Sequence, residues 1–98
     1  MNNRVVVTGI GVVSPVGTGK EAFWEAVKAG RSGVGRISYF DTSDFSTQIA
    51  AEVKDFEAED YFDRKELRRI DKFIQFAVAG SKIALEDSGL NLEKVDSG

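Results

Sequence analysis

The chemistry most densely written into this chain is charge. Residues 64–72 read Arg-Lys-Glu-Leu-Arg-Arg-Ile-Asp-Lys: five cations and two carboxylates, net +3, in a 98-residue chain whose net charge is −3. Clustered cations steer and orient an acidic partner, and an acidic protein or a phosphate group would both suit. On a helix of about 3.6 residues per turn, Arg64, Lys65, Arg68, Arg69 and Lys72 fall within an arc of about 140°. Leu67, Ile70, Phe73 and Ile74 cluster on the other side. A solvated helix face, neutralised locally by Asp60 and Asp63, is the plain alternative. The residues by themselves leave both readings open.

A second candidate lies near the amino terminus, in Arg4-Val5-Val6-Val7-Thr8-Gly9-Ile10-Gly11-Val12-Val13-Ser14-Pro15-Val16-Gly17. A strand feeding G-x-G is how a dinucleotide site begins. The context is wrong for one. The third glycine position holds Ser14, Pro15 follows, and the next acidic residues, Glu21 and Glu25, fall inside a helix. A glycine turn beneath a sheet is the expectation instead, with glycines that take positive φ and admit another backbone.

Composition narrows the chemistry further. There is no cysteine and no histidine. The sequence therefore supplies no disulfide, no thiolate metal site, no cysteine nucleophile and no imidazole base. The net charge argues against a general nucleic-acid binder. The Val5–Val16 stretch is too short and too broken to span a bilayer, and Met-Asn-Asn-Arg has no signal-peptide architecture, so the cytoplasm is the expected location.

Several elements must position these residues. Residues 4–8 read as a buried strand of β-branched side chains. Thr18 and Glu21 form a capping-box pattern for a helix running to about Ala29, with Phe23, Trp24 and Val27 toward a core and Gly30 as its left-handed stop. Residues 31–48 read as loop, and Ile49–Val53 as a short strand. Asp63 is placed to cap a helix from Arg64, with a second start possible at Asp71 and an end at Gly89. Leu90 is placed to meet Leu85 in a Schellman ending. From Phe73 to Gly80 the pattern is apolar nearly all round, as in a helix buried inside a large protein. Residues 91–98 read as a loop ahead of a further strand. The expectation is one incomplete amino-terminal portion, 1–98, without an internal boundary and without independent stability.

The residues Val5 to Gly17, Phe23-Trp24, Gly30-Arg31-Ser32-Gly33-Val34, Phe40-Asp41-Thr42-Ser43, Val53-Lys54-Asp55-Phe56, and the run from Asp63 through Phe73 to Asp87-Ser88-Gly89-Leu90 carry a resemblance in order and spacing. Together they resemble the β-ketoacyl-acyl carrier protein synthases, the elongating condensing enzymes, and most closely their synthase II branch. Ketosynthases of polyketide pathways share much of the pattern. The resemblance implies an α/β thiolase-like fold, two pseudo-repeated halves in a layered αβαβα arrangement, working as a homodimer. It implies acyl transfer from a carrier protein to a cysteine, then decarboxylative condensation with malonyl-carrier protein. That cysteine and two histidines are expected beyond Gly98, so no catalytic residue can be assigned here. Neither a metal nor a cofactor is implied beyond the phosphopantetheine of the carrier. One surface does carry over: Lys65, Arg68 and Arg69, with Arg64 adjacent, match the basic patch that holds acyl carrier protein. Elongation of fatty acyl chains is the leading expectation; a polyketide ketosynthase or its noncatalytic partner subunit, and a noncatalytic carrier-binding module, are the alternatives.

Overall fold

The computed structural model describes residues 3–94. Residues 13–18 form a tight antiparallel hairpin. β1 (Val13–Ser14) pairs with β2 (Gly17–Thr18) in the register Val13 to Thr18 and Ser14 to Gly17. Pro15 and Val16 make the turn, and the Ser14 hydroxyl donates across it to the Gly17 carbonyl at 2.8 Å.

Helix α1 (Lys20–Lys28) follows at once. Its N-cap is Gly19 at φ 92°, and no side chain caps it. The expected Thr18–Glu21 capping box therefore does not form, because the glycine conformation brings the chain into the helix one residue later. The Thr18 hydroxyl is left buried without a partner. The far end matches expectation. Gly30 sits at φ 68°, its N–H bonds to the Val27 carbonyl at 3.1 Å, and the Arg31 N–H reaches back to Ala26 at 2.9 Å. These are the two bonds of a Schellman ending.

The segment expected to be loop holds a strand, β3 (Val34–Arg36), antiparallel to β4 (Ile49–Ala51) with Val34 opposite Ala51 and Arg36 opposite Ile49. Periodicity cannot reveal a three-residue strand with glycine at its centre. A single 3₁₀ turn at Ala58–Asp60 leads to helix α2 (Arg64–Leu67), and helix α3 (Lys72–Ser88) is the longest element. Gly89 ends α3 at φ 68° as expected. Here the Schellman pattern is altered. The Leu90 N–H binds the Ser88 hydroxyl at 3.1 Å, and that hydroxyl donates to the Leu85 carbonyl at 2.7 Å, so a side chain stands between the two backbone groups. A 3₁₀ turn at Leu92–Lys94 occupies part of the expected terminal loop; residues 95–98 lie outside the described residues.

Residues 4–8 are not a strand. Val5, Val6 and Val7 are 93%, 66% and 82% exposed, because a strand exists only where a neighbour takes up its amides and carbonyls, and among the described residues none lies alongside. The same chain then drops onto α3 at Gly9 and Gly11. A Cβ on Gly11 would strike the Gly80 carbonyl oxygen and come within 2.8 Å of the Ala84 nitrogen. One on Gly9 would reach the Ala84 carbonyl and lie 2.8 Å from the Ser88 Cβ. Neither glycine has positive φ. They allow backbone to lie on backbone instead of turning the chain, and the dinucleotide-type reading has no footing here.

Charge fastens this seam. The two oxygens of Asp87 on α3 accept from the Ile10 N–H at 3.0 Å and from the Lys20 ammonium at 2.6 Å. The Lys20 hydrogen bond, then the Ile10 amide, hold the Asp87 carboxyl below its ordinary range. The same bond raises Lys20. One side chain thus ties the entering segment, α1 and α3 together.

The only fully buried apolar side chains among the described residues are Ala26 and Ala79. Trp24 and Val27, expected toward a core, are 57% and 47% exposed, and Phe73 is 70% exposed. The radius of gyration is 17.3 Å, against about 13 Å for a compact domain of this length. The accessible surface is 8125 Å², against roughly 5,500 Å² for a compact protein of the same mass. The apolar faces are correctly formed as faces, but the chain does not cover them itself. An apolar groove of about 400 Å³ lined by Ile10, Val12, Phe23 and Trp24 stays open for the same reason.

Candidate functional site

The cationic run is shaped by a break that its helical pattern conceals. α2 starts on Asp63, whose backbone is extended at ψ 152°. The carboxylate sits at the helix start, where it favours the dipole, yet it makes no cap hydrogen bond. The helix closes after one turn. The Arg69 N–H bonds to Glu66 at 3.0 Å, a tightened step, and Asp71 returns to extended backbone at ψ 164° before α3 begins. The five cations therefore do not share one continuous arc. Two apolar positions on the facing side, Leu67 and Ile70, are half-buried and seat the turn.

The break sorts the cations. Lys72 falls on α3 and turns away from the others. Its ammonium lies 4.5 Å above the Tyr39 ring and 3.4 Å from the Tyr39 hydroxyl. That hydroxyl in turn donates to the Val53 carbonyl at 3.4 Å. Arg64 is 84% exposed, but its Nε lies 3.3 Å from Glu59. Lys65, Arg68 and Arg69 are exposed, and among the described residues no carboxylate pairs with them. The sequence-derived site residues Arg64, Lys65, Arg68 and Arg69 are thus brought together on α2 and the turn that follows it. Among the described residues they divide into one cation paired with a carboxylate and three without such a pair.

Local neutralisation is real but comes from a different residue. Asp60 and Asp63 pair with no cation among the described residues, while Glu59 pairs with Arg64. Glu59 precedes the helix by five positions, so helical spacing could not have pointed to it. Its position is fixed from below. Phe56 stacks on Tyr61 with centroids 5.6 Å apart and meets Phe76 of α3 edge-on at 5.0 Å. Lys82 of α3 donates to the Tyr61 carbonyl at 2.6 Å and lies 5.0 Å from the Phe62 ring. Tyr39 was also missed, since an aromatic thirty-three residues from its lysine leaves no pattern in sequence.

Away from this surface, Glu52 is 6% exposed and both its oxygens lie within 3.3 Å of the Ser38 N–H and hydroxyl, which tie β4 to the chain after β3. Asp41 accepts from the Ser43 N–H at 3.0 Å, and that hydrogen bond holds its carboxyl below the ordinary range. Both are structural roles. Among the described residues no group of three or more carboxylates gathers to hold a metal ion, and no helix is long and apolar enough to cross a membrane. The cationic turn presents exposed positive charge, the chemistry that an acidic surface would recognise.

Residues 2–98 match the family described as "Beta-ketoacyl synthase, N-terminal domain". The chain is 50% identical over 91 residues to 3-oxoacyl-[acyl-carrier-protein] synthase 2 of Vibrio cholerae, covering 93% of this chain and 22% of that protein. It is 49% identical over 94 residues to the Coxiella burnetii protein of the same name, covering 96% of this chain and 23% of that one. The chain therefore spans less than a quarter of the length of these relatives. Among solved structures it resembles the ishigamide ketosynthase/chain length factor, with a TM-score of 0.82 at 39% identity over 92% of this chain and 22% of the other. It also resembles the AntDE:AntF complex, a type II PKS acyl-carrier protein with its ketosynthase, with a TM-score of 0.68 at 29% identity over 93% of this chain and 20% of the other. Its mixed helices and strands thus follow a ketosynthase, thiolase-like fold, and by sequence and by structure this chain belongs to the β-ketoacyl synthase family, within its N-terminal domain.

Proposed function

We propose that this chain is an incomplete amino-terminal portion of a 3-oxoacyl-[acyl-carrier-protein] synthase that elongates fatty acyl chains, and that α2 with its following turn is where acyl carrier protein docks. In the complete enzyme a cysteine thiol, contributed beyond Gly98, takes the acyl group from the carrier's phosphopantetheine thioester; the carrier's sulfur leaves, takes up the cysteine's proton and departs as the free carrier thiol. Malonyl-carrier protein then loses carbon dioxide, and the resulting carbanion attacks the acyl-enzyme thioester. The products are a 3-oxoacyl-carrier protein two carbons longer and the free thiol. Two histidines beyond Gly98 assist this condensation. The residues of this chain supply none of these steps. They hold the carrier so that its prosthetic arm can enter.

One observation supports the docking role above all: Lys65, Arg68 and Arg69 are exposed and unpaired among the described residues, on α2 and the turn that leads into α3. Exposed cations give little static stability. Their contribution lies in encounter and orientation, where an acidic carrier approaches an oppositely charged cluster, and in charge-assisted bonds to its carboxylates. The AntDE:AntF complex, in which a related ketosynthase holds its acyl-carrier protein, supports a carrier as partner. The fatty-acid assignment is preferred over polyketide service because the fatty-acid relatives are 50% and 49% identical, against 39% and 29% for the polyketide-type structures.

The layered αβαβα arrangement, a homodimer, a cytoplasmic location and the lack of any bound cofactor or metal belong to the same proposal. In that arrangement residues 4–8 become a strand once a neighbouring strand takes up their backbone. A self-contained carrier-binding module is disfavoured, because no side chain larger than alanine is fully buried among the described residues. The deciding experiment reverses Arg68 and Arg69 to Glu in the natural-length protein. Condensation with carrier-bound substrates is expected to fall at least tenfold, while transfer from a free pantetheine thioester is unchanged. Equal loss on both substrates, or on neither, would sink the docking assignment.

A further inference from the structure

We infer that Glu59 is a built-in competitor for the docking surface, holding Arg64 in an internal ion pair so that the carrier meets three free cations, with a fourth released only when that pair opens. The inference rests on the docking reading above. Its basis is a contrast among four neighbouring cations. Lys65, Arg68 and Arg69 have no carboxylate partner among the described residues, and Arg64 has one at 3.3 Å. Both members of that pair are open to solvent, at 84% and 62% exposure, so the pair exchanges readily with water and with a competing acidic side chain. Glu59 is also presented by a fixed backbone. The Asp60 and Tyr61 N–H groups close the 3₁₀ turn at 3.1 Å each, Phe56 and Tyr61 pack onto each other and Phe56 onto Phe76, and Lys82 holds the Tyr61 carbonyl.

The surroundings give this pair a direction. Residues 55–63 carry five carboxylates and no cation, immediately ahead of the basic run. An acidic partner is drawn toward Arg68 and Arg69 and repelled from the 55–63 side. Arg64 stands at the boundary. Closed on Glu59 it screens that boundary; released, it extends the basic surface toward the acidic edge. The Glu59–Arg64 pair therefore tunes how tightly and in which orientation an acidic carrier sits.

The test is a binding series on the natural-length protein with purified acyl carrier protein at low salt. Glu59→Gln is expected to tighten binding about threefold, through faster association, and the gain to fade at high salt. Glu57→Gln removes the same charge two residues away without touching an ion pair, and should tighten binding by less than about 1.5-fold. In an Arg64→Ala background the Glu59→Gln gain should shrink to the Glu57→Gln level, since coupling between two sites appears only as non-additivity. Equal gains from Glu59→Gln and Glu57→Gln, or a Glu59→Gln gain that survives without Arg64, would overturn the inference. Charge reversal at Arg68 and Arg69 separates the two ideas. If reversal leaves carrier binding intact, the docking reading falls and takes this inference with it. If reversal abolishes binding while Glu59→Gln changes nothing, the Glu59 inference alone falls.

Discussion

The seam at Gly9 and Gly11 packs on α3, the cationic turn at residues 64–69 stands just before that helix begins, and the two are specified in opposite ways. At the seam, backbone lies on backbone, and Gly80, Ala84 and Ser88 leave no space for a further carbon. At the turn, long side chains stand in water, and it is the segment just ahead of them, Phe56 and Tyr61, that is anchored on α3 through Phe76 and Lys82. The first region is specified by volume and the second by charge. Substitutions should therefore separate cleanly: at the seam they change whether the fold forms, and at the turn they change what the fold binds.

The largest expected effect is at the seam. Gly11→Ala in the natural-length protein places a methyl against the Gly80 carbonyl, where backbone must move to relieve it. Overpacking of this kind costs about 1–3 kcal/mol or more, read as a fall of several degrees in Tm or loss of soluble protein. An unchanged Tm would mean that the two segments are not in contact. Next comes charge reversal at Arg68 and Arg69, which should cost at least tenfold in carrier-dependent turnover while Tm moves by less than about 2 °C. A large Tm loss there would show that the turn is structural and would dissolve the contrast.

The Asp87 latch gives a smaller effect with a definite sign. Its carboxyl is held low by Lys20 and the Ile10 amide, so its contribution is complete above the ordinary aspartate value of about 3.9 and is lost as pH falls through the lower folded value. Lys20 is raised, so its share is complete below about pH 10.4 and is lost as pH rises through the folded value. Asp87→Asn should flatten the stability profile at both extremes and leave carrier affinity unchanged near neutrality. Because Asp41 is also held low, some acid slope remains in this variant; a slope below pH 4 no shallower than in the unsubstituted protein would remove Asp87 from the account. The smallest effect is expected from Tyr39→Phe. It removes the 3.4 Å hydroxyl contacts of Lys72 and Val53 but keeps the ring under the ammonium. Tm should shift by no more than about 2 °C, because partly exposed hydrogen bonds of this length contribute little.

Local chemistry was readable in the sequence wherever one residue decides the outcome. Gly30 and Gly89 end their helices at φ 68°, and Asp63 and Asp71 stand at the two N-caps, because those positions are set by a residue's own backbone preference. Ile49–Ala51 formed within the expected strand. The cations Arg64, Lys65, Arg68 and Arg69 were legible as a cluster, since close neighbours in sequence stay close on a short helix. The rest depends on partners distant in the chain. A strand at residues 4–8 needs another strand, whatever its valines prefer. The break between Leu67 and Lys72 is hidden because the apolar spacing of a straight helix continues through it. Glu59 was missed in favour of Asp60 and Asp63, because an ion pair between a 3₁₀ turn and a helix follows no period. Phe73–Gly80 is helical, but the deep burial its apolar pattern predicts is not seen among the described residues, where Phe73 is exposed and only Ala79 is buried.

Val5, Val6 and Val7 have a consequence for how this polypeptide is made. Three β-branched residues stand open to solvent, and among the described residues no hydrogen bond engages their backbone. An uncovered edge of this kind is a template for strand addition by any other extended chain. During synthesis, at roughly 5–20 residues per second, it waits for whichever later segment covers it. During that interval its nearest competitor for pairing is the same segment on a neighbouring nascent chain. Aggregation at this stage would depend on how densely ribosomes load the message, and a charged residue at position 6 would suppress it at the expense of the later strand.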